Sequence, residues 1–308
     1  MRLEKAPLAT SGLILGLLGL GNLLKEFSVL ATAVCAIVAV LLWLYLFYSM
    51  LSDRKSVQNQ WRSSLVQSVF TTFFMSGLLS LTYLKHFFGG YEPIAELLKP
   101  LWFIWLVALI GHMVLFSKKY LLNLSLQNVF PSWTVLYVGI GVAALTAPLS
   151  QQFFIGKLIV IYGIVATILV LPLIFYRLKK HPLETAMKPN TATICAPFSL
   201  VTAAYVSNVE TPNKLVLGIL LVAAQLFYFY ILLQLPKLLK RRFTPAFSAF
   251  TFPLVISATA LKSSVKILVL PVPSIWQMLV LFEIIVATFM VSYVLMGYIG
   301  FLTGQKLR

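Results

Sequence analysis

The chain has 308 residues, of which 60% are hydrophobic and 10% charged, and carries a net charge of +16. Soluble domains average about 45–50% apolar residues, so the composition excludes a soluble module and predicts a single integral membrane domain over residues 1–308. The basic residues fall in alternate loops between apolar runs, which excludes nucleic acid as the reason for the charge.

A membrane span needs about 20 mostly apolar residues, and ten stretches qualify. The first, 8–24, follows Pro7 and the basic start MRLEK. That start resembles a signal peptide, but the run is long and has no small-residue cleavage site, so it is read as retained. The second, 29–50, is bulky and apolar around Cys35. The third is 62–84, and a loop, KHFFGGYEPIAELLKP, separates it from the fourth, 97–116, where His112 reads as a packing residue. The fifth and sixth are 131–150 and 153–176. The seventh, 189–207, contains PNTATICAPFSLVTAA, and the eighth is 214–235. The ninth, 245–266, contains PAFSAFTFPLVISATA, and the tenth, 274–302, holds Glu283. Cys35 and Cys195 lie within spans and have no metal-ligand neighbours, so no disulfide, metal or cofactor is expected.

The loops after even spans are basic: Arg54, Lys55 and Arg62; Lys118 and Lys119; Arg177, Lys179 and Lys180; Lys237, Lys240, Arg241 and Arg242. With Lys188 and the termini they hold 17 of the 24 basic residues. The other side has Lys25, Lys85, Lys99, Lys157, Lys214, Lys262 and Lys266. This bias predicts a multi-pass cell-membrane protein with both termini in the cytoplasm.

Odd and even spans differ in kind. Even spans carry Leu, Ile, Phe, Tyr and Trp; odd spans carry Gly, Ser, Thr, Ala and internal Pro. Small residues let helices approach closely in lipid, and an internal proline frees a backbone carbonyl that protein or water must satisfy. The odd spans also repeat. Pro189 and Pro197 are eight residues apart, as are Pro245 and Pro253, and the pairs are offset by 56 residues. The same step links Pro131 with Gly139, Ser63 with Thr71, and Pro7 with Leu15. The predicted fold is all-α, with ten transmembrane helices as five hairpins in a quasi-fivefold bundle. Odd helices line a central pore and even helices stand outside. Helix kinks are expected at Gly139, Pro197 and Pro253.

The residues just before the kink positions are Ile14, Phe70, Val138, Ala196 and Phe252. Eight residues of helix rise about 12 Å, so these five are expected to form a mid-membrane constriction with Phe252 and Phe70 as its gate. Burial of the two rings as ordinary core is the other reading. No charged residue falls near this level, and Thr71, Thr72, Thr193, Ser199 and Thr251 are expected to line the pore. Hydroxyl donors and the positive ends of kinked helices favour an anion. Lys262 and Lys266 either concentrate anions at the outer mouth or anchor the helix by snorkelling.

The strings FTPAFSAFTFPLVISATA, KPNTATICAPFSLV and SGLILGLLGLG resemble the tellurite-resistance/dicarboxylate transporter family, which includes bacterial tellurite-resistance proteins and plant guard-cell slow anion channels. The likeness runs over essentially the whole chain and is most specific at Thr251-Phe252-Pro253 and Ala196-Pro197. It implies a ten-helix quasi-fivefold bundle, a pore in each protomer of a homotrimer, and occlusion by Phe252, with Phe70 as a less constant second aromatic. The chain departs from the family at Thr71 and Phe74, where the third helix often has proline.

Two functions remain open at this point. One is a channel for small inorganic anions such as chloride and nitrate. The other is a proton-coupled carrier of dicarboxylate or tellurite-type oxyanions, for which Glu283 is the candidate proton site. A structural hydrogen bond or a protomer contact is the other reading of Glu283. An enzyme is not expected, since no nucleophile–base pair or phosphate loop is present. The expected partners are the lipid bilayer, small anions and copies of the same chain.

Overall fold

The structure, a computed structural model, describes residues 4–268 and 272–304. Arg2, Lys306 and Arg308 of the expected basic termini lie outside the described residues. Every regular element among the described residues is helical. The chain opens with α1 (Thr10–Leu24), α2 (Val29–Ser52), α3 (Arg54–Gln60), α4 (Ser64–Phe88) and α5 (Glu92–Phe116). Next come α6 (Trp133–Val138), α7 (Gly141–Thr146) and α8 (Phe153–Lys180). A 3-10 stretch, Thr185–Cys195, leads into α9 (Ala196–Asn208), followed by α10 (Lys214–Leu239). A second 3-10 stretch, Pro245–Phe250, leads into α11 (Phe252–Val265), and α12 (Pro273–Leu302) ends the fold.

Two elements differ from the sequence reading. Residues expected in a loop form α3, which Asp53 caps by accepting the Ser56 N–H at 3.0 Å. The long loop expected between the third and fourth spans is mostly helical: α4 runs to Phe88 and α5 begins at Glu92. The helix breaks at Gly89 and Gly90, and Pro93 lies in the first turn of α5, where a missing N–H costs nothing.

Among the described residues, eight helical stretches are long and apolar enough to cross a membrane, three of them joining shorter elements (Glu92–Leu121, Trp133–Ser150 and Pro245–Val265), which makes this a multi-pass membrane protein. α1, with 15 residues, and α9, with 13, fall below that length. The reason in α9 is local. Pro197 occupies its first turn, and the 11 residues before it wind as a 3-10 helix. At about 2.0 Å per residue that stretch adds roughly 22 Å to the roughly 20 Å of α9.

Burial separates two layers. Only 22% of the most apolar window of α2 is buried, against 78% for Pro245–Val265. α1 buries all but two of its residues, and α2, α8, α10 and α12 expose large aliphatic and aromatic side chains. The inner elements are neighbours in a closed cycle: α1 on α4, α4 on α6 and α7, these on α9, α9 on α11, and α11 on α1. α2 packs on α1, α5 on α4, α8 on α6, α7 and α9, α10 on α9, and α12 on α11.

Each seam of the cycle has a buried side-chain hydrogen bond. Ser11 meets Thr72 at 2.7 Å, and Ser68 meets Ser132 at 2.7 Å. Thr134 donates to the Thr193 carbonyl at 3.1 Å. Ser199 meets Ser257 at 2.8 Å, and Thr251 donates to the Gly12 carbonyl at 3.0 Å. Small hydroxyl side chains suit these seams because they join backbones at close range in lipid.

Candidate functional site

A cavity of about 260 Å³ lies at the centre of the cycle. Each of the five inner segments contributes to its wall: Gly12 of α1, Thr72 and Met75 of α4, Val138 of α6, Ala196 of α9 and Phe252 of α11. At the end nearer the basic loops, Pro7, Gln60 and Pro245 join the wall. Toward the other end the lining stops at Met75, Gly139, Leu200 and Pro253. The cavity thus occupies the N-terminal half of the inner segments.

The breaks in the inner segments shape this wall. Pro253, like Pro197, lies in a first turn, and proline disfavours helical geometry in the residue before it. Thr251, at φ −86° and ψ −87°, separates its 3-10 segment from α11. Gly139 separates α6 from α7. The expected kink positions are therefore breaks between elements, whereas α1 and α4 run continuously through Leu15 and Thr71.

That difference divides the expected ring. Val138, Ala196 and Phe252 line the cavity; Ile14 and Phe70 are not among its lining residues. Ile14 borders a separate recess with Ala36, Ala39 and Trp43 of α2. Phe70 lies in an aromatic cluster on the α5 side of α4. It stacks on Phe73 at 5.0 Å and meets Trp61 edge-on at 5.1 Å. His112 is 6.3 Å from the same ring and bonds the Gln67 carbonyl through Nε2 at 2.9 Å. Helical phase accounts for Ala196 and Phe252, whose preceding residues wind as 3-10 helix, whereas Val138 reaches the wall from the short α-helical α6 that ends at Gly139. Eight α-helical residues turn about 800°, eight 3-10 residues about 960°, and the net directions differ by roughly 160°. Equal spacing in sequence therefore presents nearly opposite faces in the two kinds of segment.

Phe252 has no ring–ring contact among the described residues, and the residue is 5% exposed. It lies against glycines of α1. A Cβ built at Gly19 would come within 3.3 Å of Phe252 Cδ2, and one at Gly16 within 2.4 Å of Thr251 Cβ. Side chains at those two positions would displace the segment carrying Phe252.

The wall contains no charged residue among those described. Of the polar residues expected to line it, Thr72 and Thr193 do. Thr251 and Ser199 belong to the seams, and Thr71 is buried with its hydroxyl unpartnered. The wall also holds Gln60, Thr134, Asn190 and Ser248, which the eight-residue spacing did not select. Part of this was legible: four copies carry a Ser or Thr three or four residues after their start, of which Thr134, Thr193 and Ser248 line the wall and Ser11 joins the α1–α4 seam.

Most lining donors are already engaged. The hydroxyls of Thr72, Thr134 and Thr193 donate to the carbonyls of Val69, Pro131 and Asn190 at 2.8, 2.8 and 2.9 Å. Asn190 is different. Its Oδ1 accepts the Ser132 N–H at 3.0 Å, which fixes the amide orientation. Its NH2 group donates no hydrogen bond among the described residues.

Lys262 and Lys266 lie away from this wall. Both bind Glu26, in the turn between α1 and α2, at 3.1 and 3.0 Å. Lys262 also donates to the Leu23 carbonyl at 3.3 Å and lies 4.9 Å from the Phe27 ring centroid. Hydrogen bonds from Lys266 and then Lys262 hold the Glu26 carboxyl below its ordinary range. Glu283 is fully buried in α12, on the side of Gln225 and Tyr228 of α10, and does not line the cavity.

A family model described as voltage-dependent anion channel matches residues 5–299. No match was found among curated proteins. The chain belongs to the voltage-dependent anion channel family, the same family that its proline-containing spans resemble.

Proposed function

We propose that this member of the voltage-dependent anion channel family passes small inorganic anions, chloride and nitrate among them, through its own central cavity, with Phe252 as the occluding side chain. The observation that carries this reading is the uncharged wall built by all five inner segments and bordered by the isolated Phe252 ring. A site without fixed charge binds its ion weakly, and weak binding permits fast exit. The Asn190 NH2 is the donor free to meet an anion. α9 and α11 also begin at this wall, which adds the positive ends of two backbone dipoles.

In this reading α1–α2, α4–α5, α6/α7–α8, α9–α10 and α11–α12 act as five hairpins of a quasi-fivefold, ten-span bundle. Each inner segment spans by adding its 3-10 or extended residues. Both termini and the basic loops face the cytoplasm of a cell-membrane protein, and the apolar outer helices offer contact surface for a homotrimer with one pore per protomer.

The alternative, a proton-coupled carrier of dicarboxylate or oxyanions, calls for a titratable group beside the substrate. None of the described lining residues is titratable, and Glu283 lies behind the inner layer. The cavity wall therefore favours the channel. Currents from Phe252→Ala beside the parent protein, in chloride and then nitrate, test the reading. A large anion-selective current in the variant is expected, and equal, negligible currents in both would reject it.

A further inference from the structure

The outer layer contains a second polar site. Both carboxyl oxygens of Glu283, both polar atoms of the Gln225 amide and the Tyr228 hydroxyl are buried and have no hydrogen-bond partner among the described residues. Gln225 faces the carboxyl outside hydrogen-bond geometry, and Tyr228, three residues on along α10, lies on the same helix face. The depths agree as well: Glu283 is ten residues from the start of α12, and Gln225 is eleven from the start of α10. Buried polar groups are almost always paired, and an ionised carboxylate without a partner is disfavoured most of all. Three such groups converging at one depth need a ligand that neutralises the acid and supplies a donor.

We infer that Glu283, Gln225 and Tyr228 form an off-axis proton-binding site whose occupancy sets the position of Phe252. The proton binds one Glu283 oxygen, and the resulting O–H can donate to the Gln225 amide oxygen while the Tyr228 hydroxyl donates to the other carboxyl oxygen. Among the described residues, no Lys, Arg, His, Asp or other Glu faces the group. α1 has no titratable residue, and the one cation of α11, Lys262, is engaged with Glu26 at its far end. The titratable neighbours are Tyr228 and Cys195, the latter at the start of α9.

Cys195 links this site to the cavity. It lies near both Glu283 and Ser257, and the next residue, Ala196, lines the cavity. Ser257 joins Ser199 across the α9–α11 seam at 2.8 Å and lies on α11 five residues beyond Phe252. Loss of the proton leaves a charge behind this seam. The arrangement that keeps the carboxyl dry binds the proton more tightly, so raising pH favours any arrangement that hydrates it. Loosening the α9–α11 seam does so and moves the helix carrying Phe252. Anion flux should therefore rise with pH, by up to about tenfold for each unit by which the two arrangements differ in proton affinity.

The test uses the full chain in lipid vesicles. Infrared spectra across pH 5–10 read the protonated carboxyl directly, and chloride efflux reads the gate. The parent protein should show a carboxyl band that fades with rising pH while efflux increases. Glu283→Gln should lack the band and show efflux independent of pH. Phe252→Ala should keep the band but give high, pH-independent efflux. Gln225→Leu, which preserves the acid, should shift the titration and thus covers the case in which Glu283→Gln does not fold. An unchanged efflux profile in Glu283→Gln, or an unshifted band in Gln225→Leu, would overturn the site. If no variant passes anions, the channel reading fails on its own, and the infrared titration still decides whether the proton binds.

Discussion

Phe252 and Phe70 hold corresponding places in two copies of the repeat, yet their surroundings differ in kind. Phe252 has no aromatic neighbour among the described residues, sits against the glycine face of α1 and borders the central cavity. Phe70 is held by Trp61, Phe73, Phe74 and His112 on the far side of α4. A ring with several aromatic neighbours gains packing and edge-to-face energy from each, and it is not free to move. The Phe252 ring can swing at lower cost. An aromatic placed by a helix break next to glycines suits a gate, and one on a continuous helix suits core packing.

The sharpest break of this comparison comes from truncating each ring. Phe252→Ala should raise anion current at least about tenfold, the effect of lowering the barrier by about 1.4 kcal/mol, and should lower the melting temperature less than Phe70→Ala does, since its ring has no aromatic neighbour among the described residues. Phe70→Ala should do the reverse. It should leave current near the parent value and cost about 3–5 kcal/mol of stability, typical of a buried aromatic, measured by thermal unfolding in detergent. If Phe70→Ala opened the pore, the division between the two rings would be wrong.

Gly16→Val sharpens the α1 side of the comparison. Its side chain would meet Thr251, where a Cβ alone comes within 2.4 Å of Thr251 Cβ. Overpacking of this kind costs about 1–3 kcal/mol, and displacement of Thr251 should alter basal current. Gly218, whose Cβ would meet nothing within 4 Å, is the control, and Gly218→Ala should change neither.

Asn190→Leu removes the free cavity donor and should lower anion current several-fold, by the roughly 1 kcal/mol net worth of a hydrogen bond. Asn190→Asp should lower it further by placing a negative charge in an uncharged wall. Current–voltage curves in symmetric chloride measure both, and an unchanged current in Asn190→Asp would remove Asn190 from the ion path.

The smallest effect belongs to Glu26. Its carboxyl is held below its ordinary range, so its contribution to stability is present at neutral pH and is lost as pH falls through that lowered value. Glu26→Gln should mimic the acid form and free Lys262 and Lys266. At low salt this should raise anion current slightly, and the gain should vanish as salt screens the exposed charges. Currents at two salt concentrations check it.

Much of this organisation is legible along the chain. The apolar runs mark the spans, and the Ser/Thr/Ala/Pro-rich segments are the buried elements of the inner cycle, because small residues are what a close helix seam requires. Pro197, Pro253 and Gly139 mark real breaks, because the backbone consequences of proline and glycine are local. The opposite orientation of Phe70 and the contribution of Asn190 were not legible in the same way. A fixed residue spacing specifies a direction only once the helix type is known, and Thr185–Cys195 and Pro245–Phe250 wind as 3-10 while α4 does not.

Composition and local residue preferences alone establish that this is a multi-pass membrane protein with a repeated inner segment, that a break lies beside Phe252, and that Glu283 is an acid within a span. These follow from composition and from residues whose effects are felt within one turn. Packing of the segments on one another sets which faces meet. It decides that Phe252 lies on the glycines of α1, that Asn190 keeps a donor free because Ser132 takes its oxygen, and that Glu283 meets Gln225 and Tyr228 rather than the cavity. The physical reason is that winding accumulates along each segment, so contacts between segments depend on how every residue before them turns.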